Sequence, residues 1–302
     1  HTVGTGPFYL KINRDNEVTF LARHPNYWRK DTFGNQLPYL DAIRVSYIKE
    51  KKNELLEFKK GNSDLAYRFP LEMIDEIVDY KKNLKPAYKE FQLQYLPVMA
   101  LQYYGFQHQG KIFHDMNVRK AFCYAIDRQK LCDFTLKGTG FPAIYGTVPP
   151  GTGTYDSKLV NGYSYQPEKA REYLAKAGFP KGKGFPTVTL QLNSGGSRNS
   201  QVAEALKKMI EETLGIHIDL LIVPWAQHTE AVETAKIDFY RLGWVADYPD
   251  AENFLNLFHS KYVPDDITQK TYINSFRYKN PVFDNAFDKA VATVDETERN
   301  AL

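Results

Sequence analysis

Apolar positions along the 302 residues recur with two periods, and the alternation between those periods predicts the architecture. Near the N-terminus, Phe8-Tyr9-Leu10-Lys11-Ile12 and Val18-Thr19-Phe20-Leu21-Ala22 are strand-like runs around an Asp15-Asn16 turn, the pattern of a β-hairpin. After a loop through Asn26-Tyr27-Trp28 to Pro38, the alternation of Ile43, Val45 and Tyr47 predicts another strand. Asn53 is expected to cap a short helix over residues 54–60 that Gly61 terminates. Residues 63–67 read as a short buried strand. Pro70 suits the first turn of a helix over 71–80, with Leu71, Ile74, Ile77 and Val78 on one face. A polar stretch at 81–90 is followed by strand-like runs at 91–96 and 98–106, and a lobe boundary is placed near residue 98.

Beyond that boundary helical and strand periods alternate. Asp115 precedes Val118, Ala121, Phe122 and Ala125, a buried stripe at helical spacing. Asp127 is expected to cap a second helix that Gly138 ends, and the Gly- and Pro-rich residues 138–153 form an extended loop. Pro167 opens a helix with Ala170, Tyr173, Leu174 and Ala177 inward, stopped by Gly178. Val188, Leu190 and Leu192 mark a strand. Val202, Leu206, Met209 and Ile210 line a long helix closed by Gly215, and a strand over 216–223 ends at Pro224-Trp225. Residues 237–240 read as a strand, 243–250 as a strand-to-helix loop, and 251–259 as an amphipathic segment. A last helix over 281–294 carries Phe283, Ala286, Phe287, Ala290 and Val294 on one side. Such alternation implies α/β construction, helices on a mixed sheet. The abrupt ends suggest a fragment of a longer protein.

Composition narrows the function by exclusion. The 39 Lys and Arg against 36 Asp and Glu leave +3 with no basic block, unlike a nucleic-acid binder. The 21 Tyr, 19 Phe and 3 Trp suggest amphipathic contact surfaces. No apolar run is long enough to span a bilayer, and His1-Thr2-Val3-Gly4 has no leader-like pattern. Cys123 and Cys132, if on one helix, stand about 13 Å apart, which forbids a disulfide and predicts two free, mostly buried thiols. No G-x-G-x-x-G, P-loop or nucleophile elbow is present. The seven His are scattered, with His108 and His114 the closest internal pair, and loop surface is their expected place. Residues 193–197 could bind an anion before a helix or be an ordinary loop. No catalytic residue, metal site or cofactor is therefore predicted. In Gly243-Trp244-Val245-Ala246-Asp247-Tyr248-Pro249-Asp250, an acid beside a large aromatic suits a cationic ligand group. Taken alone, the run favours a structural Trp with Asp247 or Asp250 capping the next helix.

Several passages together resemble the family 5 extracellular solute-binding proteins, the oligopeptide- and dipeptide-binding components of bacterial ABC importers. They are Gly4-Thr5-Gly6-Pro7-Phe8, His24-Pro25-Asn26-Tyr27-Trp28, Pro38-Tyr39-Leu40-Asp41 and the run from Asn117 to Arg128, which is the most specific. To these add Tyr173 to Gly178, Gly243-Trp244 through Phe254-Leu255, and Phe283-Asp284 to Asp295 and Arg299. They occur in the expected order over nearly the whole chain. Departures are Gln107, where the family often has Asn, and the variable loop 138–153.

The resemblance implies a type II periplasmic-binding-protein-like α/β fold, with mixed sheets flanked by helices and two lobes around a cleft. Residues 1–98 would be the middle segment of an incomplete first lobe, and 99–302 most of the second main lobe. In peptide-binding members the Asp at the position of Asp247 binds the peptide ammonium. Oligopeptide-binding members carry an Arg three residues before the Trp, matched by Arg241, which faces the ligand carboxylate. Trp225 resembles a pocket wall, Trp244 belongs to the motif itself, and Tyr103 and Tyr104 lie where the first strand of this lobe meets the cleft. The implied partners are a small peptide and a membrane permease, with no nucleic acid, for a monomer that is periplasmic or a membrane-anchored extracytoplasmic lipoprotein. The same fold binding a nickel chelate, oligosaccharide or haem, and a sensor lobe of a regulator, are the alternatives; an enzyme is not expected.

Overall fold

Asn16 adopts a left-handed conformation, φ 60°, which Asn tolerates in tight turns. It closes the expected hairpin between β1 (Phe8–Arg14) and β2 (Val18–Arg23). The structure, a computed structural model, describes residues 4–67, 69–79 and 81–302. The leader-like pattern sought in residues 1–3 and the expected helix end at 80 fall outside them. The chain forms two compact units, His1–Pro70 and Leu71–Leu302.

In the first unit β3 (Ala42–Ser46) adds antiparallel to β2, giving a three-stranded meander with an irregularity between Leu10 and Ile12. The loop before β3 is organised by Asp31, whose Oδ1 accepts the Phe33 and Asn35 N–H groups at 2.8 Å. Hydrogen bonds from Tyr39 first, then Asn35, hold the Asp31 carboxyl down at about 2. Helix α1 runs Lys51–Lys59 and starts earlier than expected: Glu50 stands at the N-cap without a side-chain bond, and Asn53 lies inside the first turn. Gly61 ends it at φ 78°, as its position suggested. The strand expected over 63–67 does not form. Leu65 is 71% exposed, and Glu54 Oε1 and Lys51 Nζ bind the Tyr67 backbone where a partner strand would have to sit.

The second unit starts with Leu71, Ile74 and Ile77 buried on a 3-10 turn and one α-helical turn, Leu71–Met73 and Ile74–Ile77. This is shorter than the helix expected over 71–80, because Val78 turns extended and bridges to Leu84. No strand forms at 91–96. The division after Pro70 falls earlier than the boundary read near residue 98. Residues 71–98 pack against the rest of this unit through Ser197 Oγ donating to Glu72 Oε2 (3.2 Å) and Lys82 Nζ to the Gly138 carbonyl (3.0 Å). A Lys137–Asp75 ion pair (2.8 Å) adds to them.

The centre of this unit is a four-stranded mixed sheet. Its strands are β4 (Ala100–Phe106), β5 (Val188–Asn193), β6 (Ile218–Val223) and β7 (Phe239–Val245), in the order β4-β7-β5-β6. Strand β7 is antiparallel to β4 and parallel to β5, and β5 is parallel to β6. Helices α2 (Met116–Tyr124), α3 (Pro167–Lys176) and α4 (Ser197–Leu214) cover one face. Asp115 caps α2 by accepting the Asn117 N–H at 2.7 Å, and Val118, Ala121 and Phe122 are fully buried, as their spacing predicts. Phe106 stacks on Phe113 (4.6 Å) and Phe239 (5.1 Å) beneath them.

Helix α5 (Trp225–Glu233) follows β6 and was not read from the sequence, although Trp225, His228 and Val232 have helical spacing. With Leu257 and Phe276 its Val232 forms the opposite core, around Tyr240. The strand expected at 237–240 extends through Val245, so Gly243 and Trp244 lie in β7 and not in a loop. Beyond it come α6 (Glu252–Leu255), α7 (Pro281–Ala292) and α8 (Glu296–Ala301). Both Cys are free, with Cys132 buried and Cys123 half-buried.

His108, expected on loop surface, is half-buried at the end of β4, its ring edge-on to Tyr278 at 5.2 Å. Burial first, and the nearby Arg119 charge second, lower its pKa to about 4. The unfolded chain, titrating near 6.5, therefore takes up this proton first. The stability it protects is complete above that value and lost as pH falls toward 4. His108→Phe should remove about 1–2 kcal/mol from the loss of stability between pH 7 and pH 5, measured by urea unfolding at both pH values.

Candidate functional site

The site is built on two paired strands. Across β4 and β7, Tyr104 stands opposite Arg241, Tyr103 opposite Leu242, Gln102 opposite Gly243 and Leu101 opposite Trp244. The strand period of two therefore sets Gln102, Tyr104, Arg241 and Gly243 on one face, and Leu101, Tyr103, Leu242 and Trp244 on the other.

Arg241 is half-buried. Its Nη1 donates to Asn193 Oδ1 at 3.0 Å, and its Nη2 donates to Gln102 Oε1. Burial pulls the guanidinium pKa below its ordinary value, and the groups that oppose this are Tyr104 and Tyr103, not a carboxylate. The same burial pushes both tyrosines up to about 12, so they remain neutral donors. Tyr103 packs on Phe276 (5.3 Å) and Tyr104 on Phe239 (6.4 Å), on opposite faces. Only Tyr104 shares the Arg241 face.

The Arg241 backbone is held from the other side. Pairing of β7 with β5 covers only Phe239 and Tyr240. The Arg241 carbonyl is met instead by His228 Nε2 at 2.7 Å, on α5, a fully buried residue. A carbonyl only accepts, so Nε2 carries the hydrogen. Nδ1 is then the acceptor for Gln191 Nε2 at 2.9 Å. Burial lowers the His228 pKa against the opposing effect of that carbonyl bond, which keeps the ring neutral. Trp225 opens the same helix, 54% exposed, with its ring 6.0 Å from that of His228.

Trp244 points to the other face and donates its indole N–H to Asn253 Oδ1 at 2.7 Å on α6. It packs against Tyr103, Leu101 and Phe254. Its surroundings are those of a structural anchor for the loop. Asp247 is exposed two residues past β7, and among the described residues its carboxylate accepts no hydrogen bond. Asp250 does what its position suggested, accepting the Glu252 N–H at 2.8 Å at the start of α6. It also takes a two-pronged ion pair from Arg299 on α8 (2.6 and 2.7 Å). Burial raises the Asp250 pKa, but Arg299 and the Glu252 N–H outweigh it and hold it below the ordinary value. That pair lines a groove of about 230 Å³ with Phe283 and Phe287, away from Arg241. Among the described residues no group of three or more His, Cys, Asp or Glu side chains could hold a metal.

The structure thus brings Arg241, Tyr104 and, through His228, Trp225 together. It sets Trp244 and Tyr103 behind the sheet and Asp247 beyond its end. Gln102, His228 and Gln191 were missed in the sequence, where only the helical spacing of His228 from Trp225 could have flagged one of them. Asn193 was read only as the start of a loop that could bind an anion, and it ends β5 and binds Arg241.

The chain matches a known class of solute-binding proteins. The model of the bacterial extracellular solute-binding proteins, family 5, matches residues 1–265, and the chain belongs to that family. The chain is similar to the oligopeptide-binding protein OppA of Bacillus subtilis, 26% identical over 304 residues, 99% of this chain and 52% of that protein. Among solved structures, the oligopeptide-binding protein OppAIV of Borrelia burgdorferi aligns with a TM-score of 0.78 at 21% identity, covering 98% of this chain and 54% of that one. DppA of Helicobacter pylori, in complex with the peptide STSA, aligns with a TM-score of 0.78 at 24% identity over 99% of this chain and 53% of that one. The fold is type II periplasmic-binding-protein-like, as expected from the sequence. The chain spans about half the length of the relatives it matches.

Replacing His228 by Phe would leave the Arg241 carbonyl buried without its partner and the Gln191 amide with only the long bond to the residue 228 carbonyl (3.5 Å). The expected cost is about 2–4 kcal/mol, with part recovered in His228→Gln, whose amide can again donate to the carbonyl. Urea unfolding of the three proteins measures it.

Proposed function

We propose that this chain is part of the substrate-binding protein of an ABC importer, one that binds short peptides in a cleft of the complete protein and delivers them to the membrane permease. The observation that carries the reading is the pair of open charges along one strand. Arg241 has a neutral amide at each terminal nitrogen, and Asp247, just past the end of the same strand, has no partner among the described residues. A peptide with free termini carries the opposite charges at its two ends. An extended peptide beside such a run can also use main-chain hydrogen bonds, leaving its side chains to roomier pockets. The names of the relatives, oligopeptide- and peptide-binding proteins, support the same ligand class.

In this reading Asp247 binds the ligand ammonium, Arg241 faces its carboxylate, and Tyr104 and Trp225 line the neighbouring wall, with Tyr103 and Trp244 setting the strand and loop in place. The protein is a receptor and not an enzyme, acts as a monomer, and works outside the cytoplasm, free in a periplasm or held by a lipid anchor. Residues 1–98 belong to the first lobe and 99–302 to the second; entry into the mixed sheet at Ala100 supports that division.

Calorimetry on the complete protein tests the anchor role. Peptides with a free amine should bind Asp247→Asn about 10- to 100-fold more weakly than wild type, and N-acetylation should weaken wild-type binding similarly. Acetylation should then add little in the variant. Wild-type affinity that is indifferent to N-acetylation would sink the role of Asp247. Mass spectrometry of copurified ligand checks the class itself.

A further inference from the structure

Arg241 is held by neutral groups where an acid would have served equally well in geometry. Gln102 lies diagonally across the strand pair from it, since Gln102 faces Gly243 and Tyr104 faces Arg241. Diagonal neighbours on one face are within reach of long side chains. What lets the amide lie across β7 is the absence of a side chain at Gly243. A Cβ there would stand 2.5 Å from Gln102 Nε2 and 2.8 Å from its Oε1. Gln102 therefore sits against Gly243, and its Oε1 accepts from Arg241 Nη2, while Asn193 takes Nη1.

Two amides fix the fork without neutralising it. A carboxylate in place of either would form a charge-assisted pair with a half-buried guanidinium, and such pairs are roughly twice as strong as neutral bonds. That pair would cancel the field an approaching anion feels. We propose that Gln102 is a specificity-determining residue: by aiming Arg241 while leaving its charge uncompensated, it makes the site prefer ligands with a free carboxylate over their neutral counterparts. The inference rests on the reading of Arg241 as the residue that faces the ligand carboxylate. Gln102 itself is exposed, so a change there does not open a cavity.

The test uses the complete protein and a tripeptide library presented as free acids and as matched C-terminal amides, with captured peptides counted by mass spectrometry. Wild type should enrich acids over amides by about 10-fold or more. Gln102→Glu, nearly the same size, should bring that ratio within about twofold of unity by supplying Arg241 with its own anion. Gln102→Met removes the acceptor but adds no charge, and should retain an acid preference within about twofold of wild type. Thermal unfolding of each variant checks that the fold is intact. A wild-type ratio preserved in Gln102→Glu overturns the proposal, and so does a Gln102→Met variant that behaves like Gln102→Glu, because charge would then not be the cause. Absence of any acid preference in wild type would instead remove the reading of Arg241, and this proposal with it.

Discussion

Strand β7 has to serve two cores and hold Arg241 in place at once, and the period of two along a strand is what permits it. Phe239 turns into the aromatic cluster under α2, with Phe106, Phe113 and Phe122. Tyr240 turns the other way, fully buried against Phe276 and Val232. The close approach there is possible because Gly105, opposite Tyr240, has no Cβ; one would lie 2.7 Å from the Tyr240 ring. With residues 239 and 240 fixed in opposite cores, the faces taken by Arg241, Gly243 and Trp244 are determined without further instruction. A slip of one residue would exchange both cores at once, so the register of the site is secured by packing several residues away from it.

The same strand pairs with β5 only at Phe239 and Tyr240, and the next carbonyl, that of Arg241, is satisfied by a side chain. His228 does for the Arg241 carbonyl what another residue of β5 would have done in a longer ladder. A buried imidazole is a costly choice unless both nitrogens have partners. Gln191, on the strand that stops pairing at this point, supplies the second. The arrangement fixes one tautomer, one ring position and therefore one height of the Arg241 peptide above the sheet. Backbone accuracy of this kind is what the proposed role of Arg241 at a ligand carboxylate would require.

Much of the second unit was legible because its elements bury one regular face. Val118, Ala121 and Phe122, or Leu206 and Ile210, repeat at helical spacing and end at capping or left-handed residues, Asp115 and Gly215. Failures came where tertiary partners override a local signal. Gly243-Trp244 looks like a turn because Gly and an isolated Trp are common there, yet pairing with Gln102 and Leu101 holds them in a strand. Residues 63–67 look like a strand but pair with no strand among the described residues; side chains of Lys51 and Glu54 bind the Tyr67 backbone instead. Helix α5 was hidden by Pro224 and by His228, whose polarity masks a buried position. The site residues themselves came from resemblance, and the support from Gln102 carries no pattern at all: an exposed amide becomes informative only when the register shows what it touches.

That distinction separates two kinds of residue around Arg241. His228 and Gln191 are buried, and their hydrogen bonds would be needed in any protein with this strand geometry, whatever it binds. Gln102 is exposed and nothing in the core demands it, so its chemistry is free to serve the proposed ligand preference. A glycine opposite lets it lie down, and an amide, not a carboxylate, is what lies there. In water the difference between the two would be small. Beside a half-buried guanidinium, where attraction between charges is several times stronger than in bulk solvent, it decides whether the positive charge is cancelled inside the protein or left open, as the proposed carboxylate preference requires.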